Sequence, residues 1–263
     1  MLKSIAQKTF ANGRVYALET EDGFAIETTD TFLPWYTKDA IGNKQNTLKD
    51  TDLGSRAERW MIGVSVMSGC PCKCKFCATG QMQKWRSLTT EEIIQQVDFI
   101  LNLNPDFNPL DSKEFKINYT RMGEPFLNLK SVKGAIATLD TRFKGKIHHY
   151  VSTIGIKNSN FYWVKNNITL QVSLHSLNED RRNWLIPWLN KMSIEELGKI
   201  RTESNLMTTL NLTLVDDDDF EITELQKSFD PKHFFIKLSP INRNVVSDGN
   251  DLGAGIIEAQ NIA

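Results

Sequence analysis

Hydrophobic and polar positions change rhythm close to residue 58. Before it, Arg14-Val15-Tyr16-Ala17-Leu18 and Phe24-Ala25-Ile26-Glu27-Thr28 are short β-type runs. Glu21-Asp22-Gly23 between them holds an Asp-Gly pair, a strong local signal for a hairpin. The polar stretch from Lys38 to Arg56 has no period and reads as a loop. Residues 1–57 are therefore expected to form a small N-terminal β-hairpin extension, and residues 58–263 a core domain.

In the core, apolar β-type runs alternate with helical patterns. The strand candidates are Met61–Met67, Phe115–Thr120, Ile147–Ser152, Ile168–Leu174, Met207–Val215 and Phe234–Ser239. Helical patterns cover Thr89–Leu103, Leu129–Thr141, Ser159–Asn166, Ser193–Ser204 and Glu221–Ser228. In the first of these, Ile93, Val97, Ile100 and Leu101 make one apolar face. Thr89 with Glu92, and Ser193 with Glu196, have the spacing of capping boxes. Alternation of this kind builds a parallel sheet with right-handed crossovers. Six strands fall short of a closed eight-fold barrel, so the α/β core is expected to be a partial (β/α)6 barrel or an open sheet wound one way.

Chemistry in such folds gathers at the carboxyl ends of the strands. Those ends carry Met122-Gly123-Glu124-Pro125, Ser152-Thr153-Ile154-Gly155, Ser173-Leu174-His175 and Pro240-Ile241-Asn242. Gly123 admits close backbone approach, and the Glu124 carboxylate can accept hydrogen bonds from an ammonium group. Ser152 and Ser173 suit a ribose or a carboxylate, although single serines at strand ends more often bond the backbone. His175 reads as a ligand, a base or a packed polar residue. Asn242 reads as a contact to adenine or ribose, or as a turn former beside Pro240. Taken together they outline a pocket for a nucleoside bearing an amino acid.

All four cysteines lie in the eight residues from Cys70 to Cys77, which follow the first core strand. Cys70, Cys74 and Cys77 read C-x3-C-x2-C, with Phe76 before the last. Three readings stand. Three thiolates can hold three irons of a [4Fe–4S] cluster and leave the fourth open to a small molecule. With Cys72 as a fourth ligand they can close a tetrahedral zinc site, although zinc sites of this kind usually take two separated Cys pairs. A reduced, metal-free loop leaves four thiols idle.

Composition narrows the partners. The chain has 263 residues, 40% hydrophobic and 24% charged, with a net charge of −1. That balance announces no large basic face for gripping phosphates. Arg181-Arg182 and the group Lys144, Lys146, His148 and His149 read as solvated spots, the acidic run Asp216–Asp219 as a solvated turn, and Trp184 and Trp188 as core residues. No run approaches the length of a membrane span, and the first residues lack the apolar centre of a secretory signal. Clustered cysteines fit a reducing cytoplasm, and no membrane association is expected.

The ordered motifs resemble a family. Cys70-x3-Cys74-x2-Cys77 with Phe76 resembles the signature of the radical S-adenosylmethionine (radical SAM) superfamily. More narrowly, the chain is similar to the radical SAM methyltransferases that act on adenine C2 or C8 in ribosomal and transfer RNA. Asp22-Gly23 with Ile26-Glu27-Thr28, Cys77-Ala78-Thr79-Gly80, Met122-Gly123-Glu124-Pro125 with Leu127-Asn128, Val151–Gly155, Val172–His175, Arg182–Pro187 and Leu238–Asn242 match its blocks in order. The resemblance implies a partial (β/α)6 radical SAM barrel with a [4Fe–4S] cluster on Cys70, Cys74 and Cys77. It implies S-adenosylmethionine (SAM) bound by Gly123, Glu124, Ser152, Ser173, Leu174, His175 and Asn242. Reductive cleavage would release methionine and a 5′-deoxyadenosyl radical. A flavodoxin- or ferredoxin-like protein would supply the electron to a monomeric enzyme, with RNA as its substrate. The family also uses a methyl-carrying cysteine near its C-terminus, and no cysteine follows Cys77 here; the chain ends 21 residues after Asn242. Arg121 stands where the family has a small or apolar residue. Glu27 and Cys72 are then the candidates for a catalytic group. A radical SAM enzyme with another substrate and no cysteine-based transfer, and a non-catalytic metal-binding protein, are the alternatives.

Overall fold

The structure is a computed structural model. It describes residues 2–35, 53–213, 221–239, 241 and 243–252, with the backbone of 37, 38, 44 and 45. Asn242, the acidic run Asp216–Asp219 and most of the expected loop from Lys38 lie outside the described residues. The chain divides into two compact units, the first being Met1–Val66, Leu88–Arg121 and Lys130–His149, and the second Met67–Ser87, Met122–Leu129 and Tyr150–Ala263.

The first unit carries β1 (Lys3–Phe10), β2 (Gly13–Glu19), β3 (Ala25–Leu33), β4 (Arg59–Gly63) and β5 (Glu114–Tyr119), hydrogen-bonded in that order. The expected hairpin is β2–β3. Its turn is closed by the Gly23 N–H on the Thr20 carbonyl at 2.9 Å. β1 was not legible, because every one of its residues is exposed and no face alternates. The hairpin is continuous with the core: β3 pairs antiparallel with β4, and β4 runs parallel to β5. Trp60 on β4 is fully buried, and its indole N–H donates to Asp30 on β3 at 2.8 Å.

Two helices accompany these strands. α1 (Thr90–Asn102) begins with the expected capping box: Thr89 Oγ1 accepts the Glu92 N–H at 3.1 Å, and Glu92 accepts the Thr89 N–H at 2.9 Å. It buries Ile93, Val97 and Ile100, together with Gln96, whose carboxamide pairs with both backbone groups of Ser65. α2 (Leu129–Arg142) buries Val132, Ala135, Ile136 and Leu139. His149 is not a solvated basic spot. It is fully buried between the Tyr119 hydroxyl and Asp140, each at 3.1 Å.

The second unit holds β6 (His148–Thr153), which starts in the first unit, then β7 (Ile168–Ser173), β8 (Thr208–Thr213) and β9 (Phe234–Ser239), in that order. β7–β8 and β8–β9 are parallel. Its helices are short: α3 (Glu179–Leu185), α4 (Ile194–Gly198), α5 (Ile222–Ser228) and α6 (Val245–Gly249). The capping box at Ser193 and Glu196 is present, but the helix it starts stops at Gly198. The helix expected over Ser159–Asn166 does not form. Asn160 Oδ1 instead accepts the Tyr162 N–H at 2.8 Å in a turn, and Phe161 and Trp163 pack on Phe126 with centroids at 4.9 and 5.9 Å. Aromatic packing there wins over helical spacing. Among the described residues no helix is long and apolar enough to cross a membrane.

Candidate functional site

The eight-residue cysteine stretch lies wholly in the second unit, as do all the described strand-end residues expected around it. Its second half is a closed turn. The Cys77 N–H returns to the Cys74 carbonyl at 3.1 Å, and the Gly80 N–H to the Cys77 carbonyl at 3.2 Å. Lys73 has a left-handed backbone, φ 52°, and a Cβ on Gly80 would sit 2.8 Å from the Lys73 Cα. Glycine at 80 is therefore what lets the strand leaving the turn cross the strand entering it. The turn is tied to α3 by the Lys75 N–H donating to the Leu185 carbonyl at 2.9 Å.

All four thiols are free, with Cys70 and Cys77 half-buried and Cys72 and Cys74 buried. They differ in chemistry. The Cys72 thiol donates to the Cys70 sulfur, which lowers the Cys70 pKa and, with burial, raises that of Cys72. Burial also pushes the Cys74 thiol up. Cys72 thus stays protonated and acts as a hydrogen-bond donor to its neighbour. A protonated thiol is a poor nucleophile, which weighs against Cys72 as a methyl carrier. Among the described residues no set of three or more His, Cys, Asp or Glu side chains is disposed around a single ion. A closed zinc site needs four ligands drawn into one tetrahedron, whereas a cluster takes each thiolate on a different iron. The free thiols of Cys70, Cys74 and Cys77 have the chemistry that a [4Fe–4S] cluster takes.

Gly123 and Glu124 serve the architecture around that loop. Gly123 has φ +98°, and a Cβ there would meet the Met67 Cβ at 2.5 Å, so the backbone entering the cysteine stretch can lie against it. The Glu124 carboxylate is 3% exposed. It accepts the Phe126 N–H at 3.0 Å and the Ile154 N–H at 2.9 Å, joining its own loop to the end of β6. Burial outweighs these bonds and the Thr153 hydroxyl, and raises its pKa to about 7.

A raised carboxyl pKa means that the folded state holds its proton more tightly than the unfolded state. The stability associated with Glu124 is thus greatest at acid pH and falls as pH rises from the unfolded value of 4.5 to about 7. The unfolding free energy of the wild type minus that of Glu124→Gln is expected to fall by about 3 kcal/mol between those limits. Denaturant titrations at a series of pH values would show it, and a difference independent of pH would refute it.

Ser152 and Ser173 are half-buried at the ends of β6 and β7, and Leu174 is fully buried. His175 follows with a left-handed backbone, φ 63°, a strained conformation for this residue. Its ring stacks edge-on against Phe76 at 4.6 Å, and Nδ1 accepts the Thr213 N–H at 3.1 Å. The ring proton is therefore on Nε2. Burial, helped by Arg182, lowers the His175 pKa to about 3, so the ring is neutral at physiological pH. Beside Ser173 in the parallel ladder stands Asn211, which the sequence reading missed. Its Oδ1 is buried with no hydrogen-bond partner among the described residues, an open acceptor near the strand ends. An orphaned acceptor beside a serine suits a polar ligand such as SAM.

Arg182 was misread as solvated. It is fully buried, donating to the Ile154 carbonyl at 2.7 Å and the Met192 carbonyl at 2.8 Å, and Nε has no partner among the described residues. Burial lowers its pKa to about 10, so it keeps its charge, and its field reaches Cys74. Its neighbour Trp184 is not core: it is 40% exposed, with the Arg181 guanidinium 4.8 Å and the Lys75 ammonium 5.9 Å from the ring. Glu27 belongs to the first unit, where its carboxylate pairs with Arg121 and its backbone N–H and C=O both bond the Ser65 hydroxyl.

No family model matches the chain. A solved structure titled as a radical SAM methyltransferase from Sphaerobacter thermophilus superimposes with a TM-score of 0.65 over 92% of this chain and 67% of that one, at 23% identity. The chain thus has the fold of a radical SAM methyltransferase, a partial barrel built on a mixed α/β sheet. A protein of Chlorobium phaeobacteroides (strain BS1) named "Probable dual-specificity RNA methyltransferase RlmN" is 32% identical over 197 residues, 73% of this chain and 54% of the relative. Proteins of the same name from Dictyoglomus turgidum and Thermosipho melanesiensis are 34% and 30% identical, over 71% and 82% of this chain. The chain spans about half the length of the first of these relatives. By sequence it is related to the radical SAM RNA methyltransferases.

Proposed function

We propose that this chain is a radical SAM catalytic core that cleaves SAM reductively and acts on RNA. The observation that carries the reading is the set of three free thiols, Cys70, Cys74 and Cys77, the last two joined by a closed turn, together with strand ends that offer an orphaned acceptor among the described residues. When bound, a [4Fe–4S] cluster on those thiols would supply the electron that breaks a sulfonium carbon–sulfur bond of SAM. The chain's own residues hold and orient. Ser152, Ser173 and Asn211 offer polar groups at or near the ends of β6, β7 and β8, and the buried Leu174 and neutral His175 that follow Ser173 add no charge there. Gly123 and Glu124 fix the backbone between the cysteine stretch and β6. Asn242 completes the expected set from the sequence alone.

RNA as substrate rests on the names of the relatives, and Trp184 between two cations offers a surface on which a base can stack beside phosphates. A flavodoxin- or ferredoxin-like protein in a reducing cytoplasm would deliver the electron, in keeping with four unbridged cysteines. Anaerobically reconstituted protein is expected to bind about four irons and about four sulfides per chain. With a strong reductant and SAM it is expected to form 5′-deoxyadenosine and methionine, read by mass spectrometry. Zinc without labile sulfide would overturn the reading.

A further inference from the structure

The cysteine turn is bolted at two successive carbonyls to the two ends of α6. Asn244 Nδ2 donates to the Phe76 carbonyl at 3.0 Å, and Asn250 Nδ2 donates to the Lys75 carbonyl at 2.9 Å. Both asparagines also terminate the helix. Asn244 Oδ1 accepts the Val246 and Ser247 N–H groups at 2.9 and 3.3 Å, which makes it the N-cap. Asn250 is the C-cap residue, and its Nδ2 also donates to the Val246 carbonyl at 2.8 Å. Each carboxamide thus serves the helix and the turn at once. Ser247 between them is fully buried, and its hydroxyl bonds the backbone of Asn244.

We propose that Asn244 and Asn250 are positioning residues that clamp the cysteine turn in the shape needed to hold its cluster. The peptide group is planar and trans, so a carbonyl held toward α6 turns the next N–H away from it. Holding the Phe76 carbonyl aims the Cys77 N–H back at the Cys74 carbonyl, which is the bond that closes the turn between two of the three ligands. Holding the Lys75 carbonyl sets the peptide on the other side of Phe76, the residue whose ring packs on His175. Five residues of helix therefore register the turn at two adjacent peptides. Asn244 and Asn250 bond the turn at the Phe76 and Lys75 carbonyls, so the effect passes through the backbone of the turn. This inference rests on the reading of Cys70, Cys74 and Cys77 as cluster ligands.

The test separates helix capping from clamping. Asp and Ser cap a helix as well as Asn does, but neither can donate as the carboxamide does to the Phe76 carbonyl, and Asp sets a negative charge against it. Asn244→Asp, Asn244→Ser and Asn250→Ala are compared with the wild type in two states. In the metal-free protein, amide hydrogen exchange at Cys77 and Gly80 is expected to quicken roughly five- to tenfold, the worth of about one hydrogen bond, with little change in melting temperature for the Asn244 variants. In the reconstituted protein, the cluster is expected to be lost to an iron chelator several times faster than in the wild type. Unchanged exchange in all three variants would overturn the clamp. Faster exchange with unchanged cluster retention would overturn its role in holding the cluster. If the wild type itself assembles no cluster, the ligand reading fails, and the exchange data still decide whether the clamp exists.

Discussion

Cys74→Ala is expected to empty the site: iron and labile sulfide fall to background, and no 5′-deoxyadenosine forms. On the proposed reading Cys74 is a ligand; its neighbour Lys75 is tied to α3 through Leu185, and its carbonyl accepts the Cys77 N–H that closes the turn. Burial holds its thiol protonated in the metal-free chain, so binding iron must displace that proton. Cys72→Ala is the contrast. Cys72 is 2% exposed and donates to Cys70, so its loss is expected to leave iron and sulfide in place. The four-thiolate zinc reading demands loss of metal in both variants. Metal and sulfide analysis of the two proteins side by side decides between them. Retention of a full cluster in Cys74→Ala would show that the ligands are wrongly assigned.

The second large effect is on stability. Arg182→Met is expected to lower the melting temperature by roughly 10 °C. The guanidinium donates to the carbonyls of the buried Ile154 and the half-buried Met192. Each lost charge-assisted bond, with the acceptor left bare, costs about 1–3 kcal/mol, so the sum is near 4 kcal/mol. The damage does not stop at those carbonyls. Ile154 also donates to Glu124, and the Ile186 N–H closes α3 on the Arg182 carbonyl just beyond Leu185, the anchor of the cysteine turn. Arg182→Lys keeps the charge but has one nitrogen to cover two carbonyls, and is expected to fall between the wild type and Arg182→Met. Calorimetry of the metal-free proteins measures the effect without reference to any cofactor. A change below about 2 °C for Arg182→Met would mean that water or a rearranged backbone takes over both carbonyls.

Strand periodicity and capping chemistry were strong guides where a residue's neighbours in sequence decide its state. The β2–β3 hairpin, α1 with its capping box, and the core strands β5 to β9 follow from local pattern. Failures came where distant packing decided. β1 has no buried face to write an alternation into the sequence. Ser159–Asn166 has helical spacing, but Phe161 and Trp163 are drawn onto Phe126. Arg182 and Trp184 are two positions apart on one short helix, and their exposures are opposite to expectation. A charged residue and an aromatic carry no local mark of which one faces the interior. Asn211, Asn244 and Asn250 look like ordinary turn or strand residues until their partners are known.

By itself the chain's sequence determined the alternation of strands and helices, the place of the cysteines after the first core strand, and the ordered motifs that tie it to the radical SAM RNA methyltransferases. Those features depend on residue type and spacing, which the sequence carries directly. Only the tertiary structure decided what each motif residue does. It turned Glu124 inward onto backbone N–H groups, kept Cys72 as a donor to Cys70, left His175 neutral against Phe76, and fastened the cysteine turn to α3 and α6. The physical reason is that burial and hydrogen-bond satisfaction depend on groups far apart in the chain. Lys75 and Asn250 are separated by 175 residues, and no local pattern encodes their meeting.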